Sequence, residues 1–110
     1  MTSKISSGDI ISNRYASALY DLASEKKCID EILNDIDTVE KVMKESSELR
    51  RVIRSPLVNS EEKLNILLKI FGGLSFNDLT TTFLKVLDNN KRIANISSII
   101  LQFKKINSEK

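Results

Sequence analysis

Apolar residues recur along this chain at intervals of three and four over most of its length, the signature of helices that turn one side to a core. In the segment 29–43, Ile29, Ile32, Leu33, Ile36, Val39, Val42 and Met43 make a narrow seam, while Asp30, Glu31, Asp35, Asp37, Glu40 and Lys41 fall mostly on the wet side. That spacing predicts an amphipathic helix with a single buried face. Two other segments carry more apolar surface than one core contact uses. With Ile11 at zero and about 100° per residue, Ile11, Tyr15, Ala18 and Leu22 form one stripe, and Ala16, Leu19, Tyr20 and Ala23 a second beside it. Together they cover roughly 200° of the helix, about twice the stripe of an ordinary surface helix. Around Leu79 the pattern repeats: Leu79, Thr82, Phe83 and Val86 form one stripe, Leu84 and Leu87 a second, and Thr81, Lys85 and Asp88 the polar remainder. A second stripe means either a helix enclosed by its own bundle or a face kept for a partner.

Capping and breaking residues divide the chain into six helices. The first starts near Ser7 or Asp9 and runs to about Lys26 or Lys27, and the seam at 29–43 is the second. Ser46 or Ser47 caps a short third helix through Arg54, ended by Ser55-Pro56 because a residue before proline is pushed out of helical geometry. Asn59-Ser60-Glu61-Glu62 has capping-box character and opens a fourth helix closed by Gly72-Gly73, the first of which is expected to take the left-handed conformation. Ser75 with Asp78 marks the start of the fifth, which ends near Asn89-Asn90; the sixth carries Ile93, Ile96, Ile99, Ile100, Phe103 and Ile106 ahead of a frayed polar tail, Asn107 to Lys110. With three glycines and one proline in 110 residues there is little material for turn-rich β structure. The fold class is all-α, a single compact bundle of about six short helices spanning 1–110, with no repeat or linker.

The chemistry available is limited. Histidine is absent, which removes the commonest general base and zinc ligand and every Ser-His or Cys-His arrangement. Cys28 stands alone, so it reads as a packing residue at a loop or helix edge and no internal disulfide can form. Gly72-Gly73 lack the Lys-Ser/Thr of a phosphate loop, and the acids of the second helix lack calcium-loop spacing. No catalytic residue, metal or cofactor is expected. A net charge of +2 is too small to imply nucleic acid or an anionic membrane, although Arg50, Arg51 and Arg54 cluster on the third helix. No apolar run reaches the ~18 to 20 residues of a membrane span, and Met1 to Asp9 lack the apolar core of a signal peptide. Direct membrane insertion is therefore not expected.

The run Arg14-Tyr15-Ala16-Ser17-Ala18-Leu19-Tyr20-Asp21-Leu22-Ala23 resembles the start of the delta subunit of the F-type ATP synthase, whose mitochondrial counterpart is the oligomycin-sensitivity-conferring protein. Later landmarks follow in that family's order: Ser55-Pro56, Glu61-Glu62-Lys63, Phe83-Leu84, Asn90-Lys91-Arg92-Ile93 and Phe103. The resemblance implies a six-helix N-terminal domain whose first and fifth helices form a groove for an N-terminal helix of the alpha subunit. It thereby implies partner-binding residues Ile11, Tyr15, Ala18 and Leu22 on one wall and Leu79, Thr82, Phe83 and Val86 on the other. The implied role is a non-catalytic stator component, tying the alpha/beta head to the peripheral stalk on the cytoplasmic face of a bacterial inner membrane or its organellar equivalent. Family members continue into a second region that contacts the stalk b subunits, and that region is expected to be missing here. Ser12 and Asn13 stand where the family carries more apolar residues, which is expected to weaken one end of the groove. An alternative reading is a small helical RNA-binding or transcription-accessory domain using Arg50, Arg51 and Arg54.

Overall fold

The computed structural model describes residues 7–109, with side chains from residue 10 onward, so Met1 to Ser6, the side chains at Ser7 and Asp9, and Lys110 lie outside the described residues. Six α-helices follow in order: α1 (Ser7–Glu25), α2 (Ile29–Glu45), α3 (Ser47–Arg54), α4 (Ser60–Phe71), α5 (Asp78–Asn89) and α6 (Ile96–Ser108), with a 3₁₀ turn at Ile93–Asn95 leading into α6. The all-α expectation is borne out, and no strand occurs among the described residues. A radius of gyration of 13.6 Å is close to the ~13 Å of one compact body this long.

Local chemistry explains most of the boundaries. Ser46 Oγ accepts from the Leu49 amide at 3.1 Å and opens α3, and Ser55, at ψ 127°, ends it before Pro56. Asn59 Oδ1 accepts from the Glu62 amide at 2.8 Å while its Nδ2 donates to Glu62 Oε1 at 3.1 Å, so each end of the pair satisfies the other. One cap and one backbone conformation differ from the sequence expectation. The cap of α5 is Asn77, not Ser75, with Oδ1 accepting from the Leu79 amide at 2.8 Å. Phe76 stacks on Phe71 with ring centroids 5.3 Å apart, which occupies the residue between Ser75 and Asn77 in packing before the helix begins. Gly72 keeps right-handed geometry at φ −64°. What requires a glycine there is space, since a Cβ would stand 2.5 Å from the Leu68 carbonyl oxygen. The left-handed residues are Lys27 (φ 55°) and Lys91 (φ 57°). Each closes its helix with paired returning bonds, Lys27 to Ser24 and Cys28 to Ala23, and Lys91 to Asp88 and Arg92 to Leu87. The tail expected to fray continues the helix through Ser108.

The long helices α1 and α6 run against each other and anchor the core, with Tyr20 and Phe103 ring centroids 5.5 Å apart. The buried side of α1 is Ser12, Ala16, Leu19, Tyr20 and Ala23, and α6 buries Ile96, Ile99, Ile100 and Phe103. From α2, Ile32, Ile36, Val39 and Met43 are buried, while Ile29, Leu33 and Val42 pack at the margin. Ser12 lies on this buried side and Asn13 is exposed, its Nδ2 donating to Gln102 Oε1 at 3.2 Å, so neither residue thins an apolar groove. Ser12 Oγ is fully buried without a hydrogen-bond partner among the described residues. A buried unsatisfied hydroxyl costs about 1 to 3 kcal/mol. Ser12→Ala is therefore expected to raise stability by about 1 kcal/mol in urea unfolding, and a destabilised variant would mean that the hydroxyl is satisfied in solution.

Lys104 on α6 reaches α2, with Nζ 2.6 Å from both Asp37 Oδ1 and Glu40 Oε1. Its pKa is raised above the usual 10.5, first by the hydrogen bond to Asp37 and then by that to Glu40. The folded state thus binds this proton more tightly than the unfolded chain. The contribution is fully present below pH 10.5 and is lost as pH climbs through the raised value. The site is one-third exposed, so Lys104→Met is expected to cost no more than about 1 kcal/mol at neutral pH and low salt. The gap between parent and variant should close at strongly alkaline pH, which paired urea melts across pH would measure.

Candidate partner groove

Helices α1 and α5 run antiparallel, with the stripe of Ile11, Tyr15, Ala18 and Leu22 and that of Leu79, Thr82, Phe83 and Val86 turned outward. Tyr15 and Phe83 meet midway in an edge contact, with ring centroids 6.4 Å apart and planes at 69°. Toward the start of α1, Ile11, Arg14, Tyr15 and Ala18 share a recess of about 350 Å³ with Arg92, just past the end of α5. Toward the other end, Lys26, Lys27, Cys28 and Glu31 line a recess of about 510 Å³ with Asn77, Asp78, Leu79 and Thr82. Leu22, toward the Lys26 end, is 42 % exposed, and Val86, toward the Arg92 end, 41 %.

Burial separates the two stripes of each helix. On α1, Ala16, Leu19, Tyr20 and Ala23 are buried, whereas Ile11 and Tyr15 are half-buried and Ala18 and Leu22 exposed. On α5, Leu84 and Leu87 are buried, Leu79 and Phe83 half-buried, Thr82 and Val86 exposed. Neither helix is enclosed on all sides. The core absorbs one stripe and leaves a shallow channel floored by two aromatic rings.

The position of α5, and hence of this channel, depends on a residue the sequence reading assigned to the wet side. Asp35 is buried, and its Oδ2 accepts from the Asn77 amide at 2.8 Å and from Thr80 Oγ1 at 2.7 Å. Glu31 Oε2 accepts from Asn77 Nδ2 beside it. Asp35 follows Ile32 by three and precedes Val39 by four, and Thr80 precedes Leu84 and Leu87 by four and seven. Both polar residues sit on core stripes, and that spacing was the available signal. What hid Asp35 was its charge, which ordinarily keeps a side chain in water unless it is paired.

Other candidate chemistry is spoken for. Arg50 donates to the Met43 and Lys44 carbonyls at 2.6 and 2.7 Å, closing the end of α2, so of the arginine cluster only Arg51 and Arg54 project freely. That weakens the alternative of a nucleic-acid surface. Cys28 is buried and free. Among the described residues no three His, Cys, Asp or Glu converge to hold a metal, and no helix is long and apolar enough to cross a membrane.

The fold is that of a small all-α domain with an open apolar channel on one side. The chain matches the family model "ATP synthase delta (OSCP) subunit" over residues 11–110 and belongs to that family. It is 36% identical over 104 residues to ATP synthase subunit delta of Chlorobium phaeobacteroides, covering 94% of this chain and 57% of that protein. It is 35% identical over 94 residues to the subunit delta of Nitrobacter hamburgensis, covering 86% and 50%. A chain in the Toxoplasma gondii mitochondrial ATP synthase hexamer superposes with a TM-score of 0.75 at 33% identity, over 84% of this chain and 51% of that one. The chain thus spans about half the length of the relatives it matches.

Proposed function

We propose that this chain serves as a non-catalytic stator component of an F-type, proton-translocating ATP synthase, holding an N-terminal helix of the alpha subunit in the channel between α1 and α5. Tethered there, the catalytic head resists rotor torque, so rotation drives ATP synthesis. The observation that carries this is the pair of half-exposed apolar stripes joined by Tyr15 and Phe83, on two helices of a chain whose family is that of the delta subunit. An amphipathic helix lying in such a channel gains affinity from apolar burial against a surface already formed. The complex is membrane-associated and this domain peripheral to it, on the cytoplasmic face in a bacterium or the equivalent organellar side. Contacts to the peripheral-stalk b subunits fall to the family's second region.

The test is a titration with the N-terminal segment of the cognate alpha subunit, followed by backbone NMR shifts. Expected are the largest shifts at Ala18, Leu22, Thr82 and Val86. Shifts confined to Arg50 to Arg54, or no binding, would overturn the reading.

A further inference from the structure

The charged residues bordering the channel are sorted by sign. At the end marked by Ile11, the recess is flanked by Arg14 and Arg92. No carboxylate lies within 4 Å of either guanidinium among the described residues. Asp88, the remaining acid of α5, is half-buried and about 160° around the helix from Val86. At the other end the acids prevail. Asp21 and Glu25 follow Arg14 by seven and eleven residues, on the same flank of α1, and Glu31 and Asp78 line the recess there, with Lys26 and Lys27 as opposing charges.

We propose that this polarity fixes the direction of the bound helix, with its carboxylates over Arg14 and Arg92 and its basic side chains over Asp21, Glu25 and Asp78. The proposal rests on the groove reading given above and adds the selection of one orientation. Along α1, Arg14 stands about 10 Å from Asp21 and about 16 Å from Glu25, beyond one Debye length at physiological salt, about 8 Å. The ends therefore act as two separate local contacts. A helix laid the other way would set like charges against each other at both of them. The partner's own dipole presents only about half a charge at each end, so full side-chain charges decide the outcome. Because no described carboxylate engages the two guanidiniums, a partner's acid gains them without breaking a pair seen among the described residues.

The experiment uses the N-terminal segment of the cognate alpha subunit and a version with its Asp and Glu replaced by Asn and Gln. Binding is measured at low and high salt to the parent, to the double variant Arg14→Gln with Arg92→Gln, and to Val86→Asp; melts by circular dichroism check that each is folded. The double variant is expected to bind the natural segment about five- to tenfold more weakly at low salt, with the difference shrinking at high salt. It should bind the neutralised segment as the parent does. A spin label at the acidic end of the segment should broaden Ala18 and Arg92, and one at the basic end Leu22 and Leu79. Unchanged affinity in the double variant, or broadening at the opposite ends, overturns the orientation while loss of binding in Val86→Asp leaves the groove reading intact. Tight binding by Val86→Asp removes the groove reading and this inference with it.

Discussion

Replacing Val86 with aspartate is expected to leave the domain folded and to weaken binding of the alpha-subunit segment by about 2 to 4 kcal/mol, roughly 30- to 700-fold. In the free domain the new carboxylate stays hydrated, because Val86 is 41 % exposed on the outward stripe of α5. A modest stability loss, about 0.5 to 1 kcal/mol, comes from placing an acid near the negative end of a helix. In the complex the same carboxylate would be stripped of water beneath an apolar helix face without a partner. Ala18→Asp, at an exposed position across the channel, should behave alike, since Ala18 borders the recess with Ile11 and Tyr15. Paired thermal melts and calorimetric titrations separate the outcomes. Two unfolded variants would show these stripes to be internal core, and two folded variants binding at parental strength would place the partner on another face.

The largest effect on stability outside the apolar core is expected at Asp35. One of its oxygens accepts two hydrogen bonds, from the Asn77 amide at 2.8 Å and Thr80 Oγ1 at 2.7 Å, at the positive end of α5. Asp35→Ala leaves the buried Thr80 hydroxyl and the half-buried Asn77 amide unmet and opens a small void. A loss of about 2 to 4 kcal/mol is expected. Asp35→Asn keeps an acceptor and loses the charge, so it should cost about 1 kcal/mol. Urea unfolding of the two variants, with Thr80→Val in a double-mutant cycle, checks the order. If Asp35→Ala is no worse than Asp35→Asn, the two bonds are not what holds α5 to α2. The same loss should loosen one wall of the channel, because α5 begins at this junction.

Much of the architecture was legible because it rests on local rules. The seam of α2, the Ser46 and Asn59 caps and the stop before Pro56 each depend on residues a few positions apart. The over-wide arcs on the first and fifth helices were also visible, since angular position follows from chain position alone. Which half of each arc faces inward was not. Leu19 and Leu22 are both leucine, three residues apart, and one is 2 % and the other 42 % exposed. Only the packing of α6 along Ser12, Ala16, Leu19, Tyr20 and Ala23 decides between them.

The departures from the sequence expectation each come from packing beyond the local sequence. Ser75 has the side chain of a cap, yet Asn77 caps α5, because the Phe71 and Phe76 stack and the Asp35 bond fix the chain just before the helix. Gly72-Gly73 look like a left-handed stop, yet the left-handed residues are Lys27 and Lys91, where paired carbonyl bonds and the following packing offset the steric cost. By itself, then, the sequence determined the class of fold, the number and rough limits of the helices, and which two carry surplus apolar surface, since these depend on residue type at short spacing. The tertiary structure alone decided which surplus stripe stays open, which polar residues are buried to hold α5, and that the charges along the channel segregate into two ends. Those properties depend on residues far apart in the chain, such as Arg14 with Arg92 and Asp35 with Thr80, whose meeting no local spacing encodes.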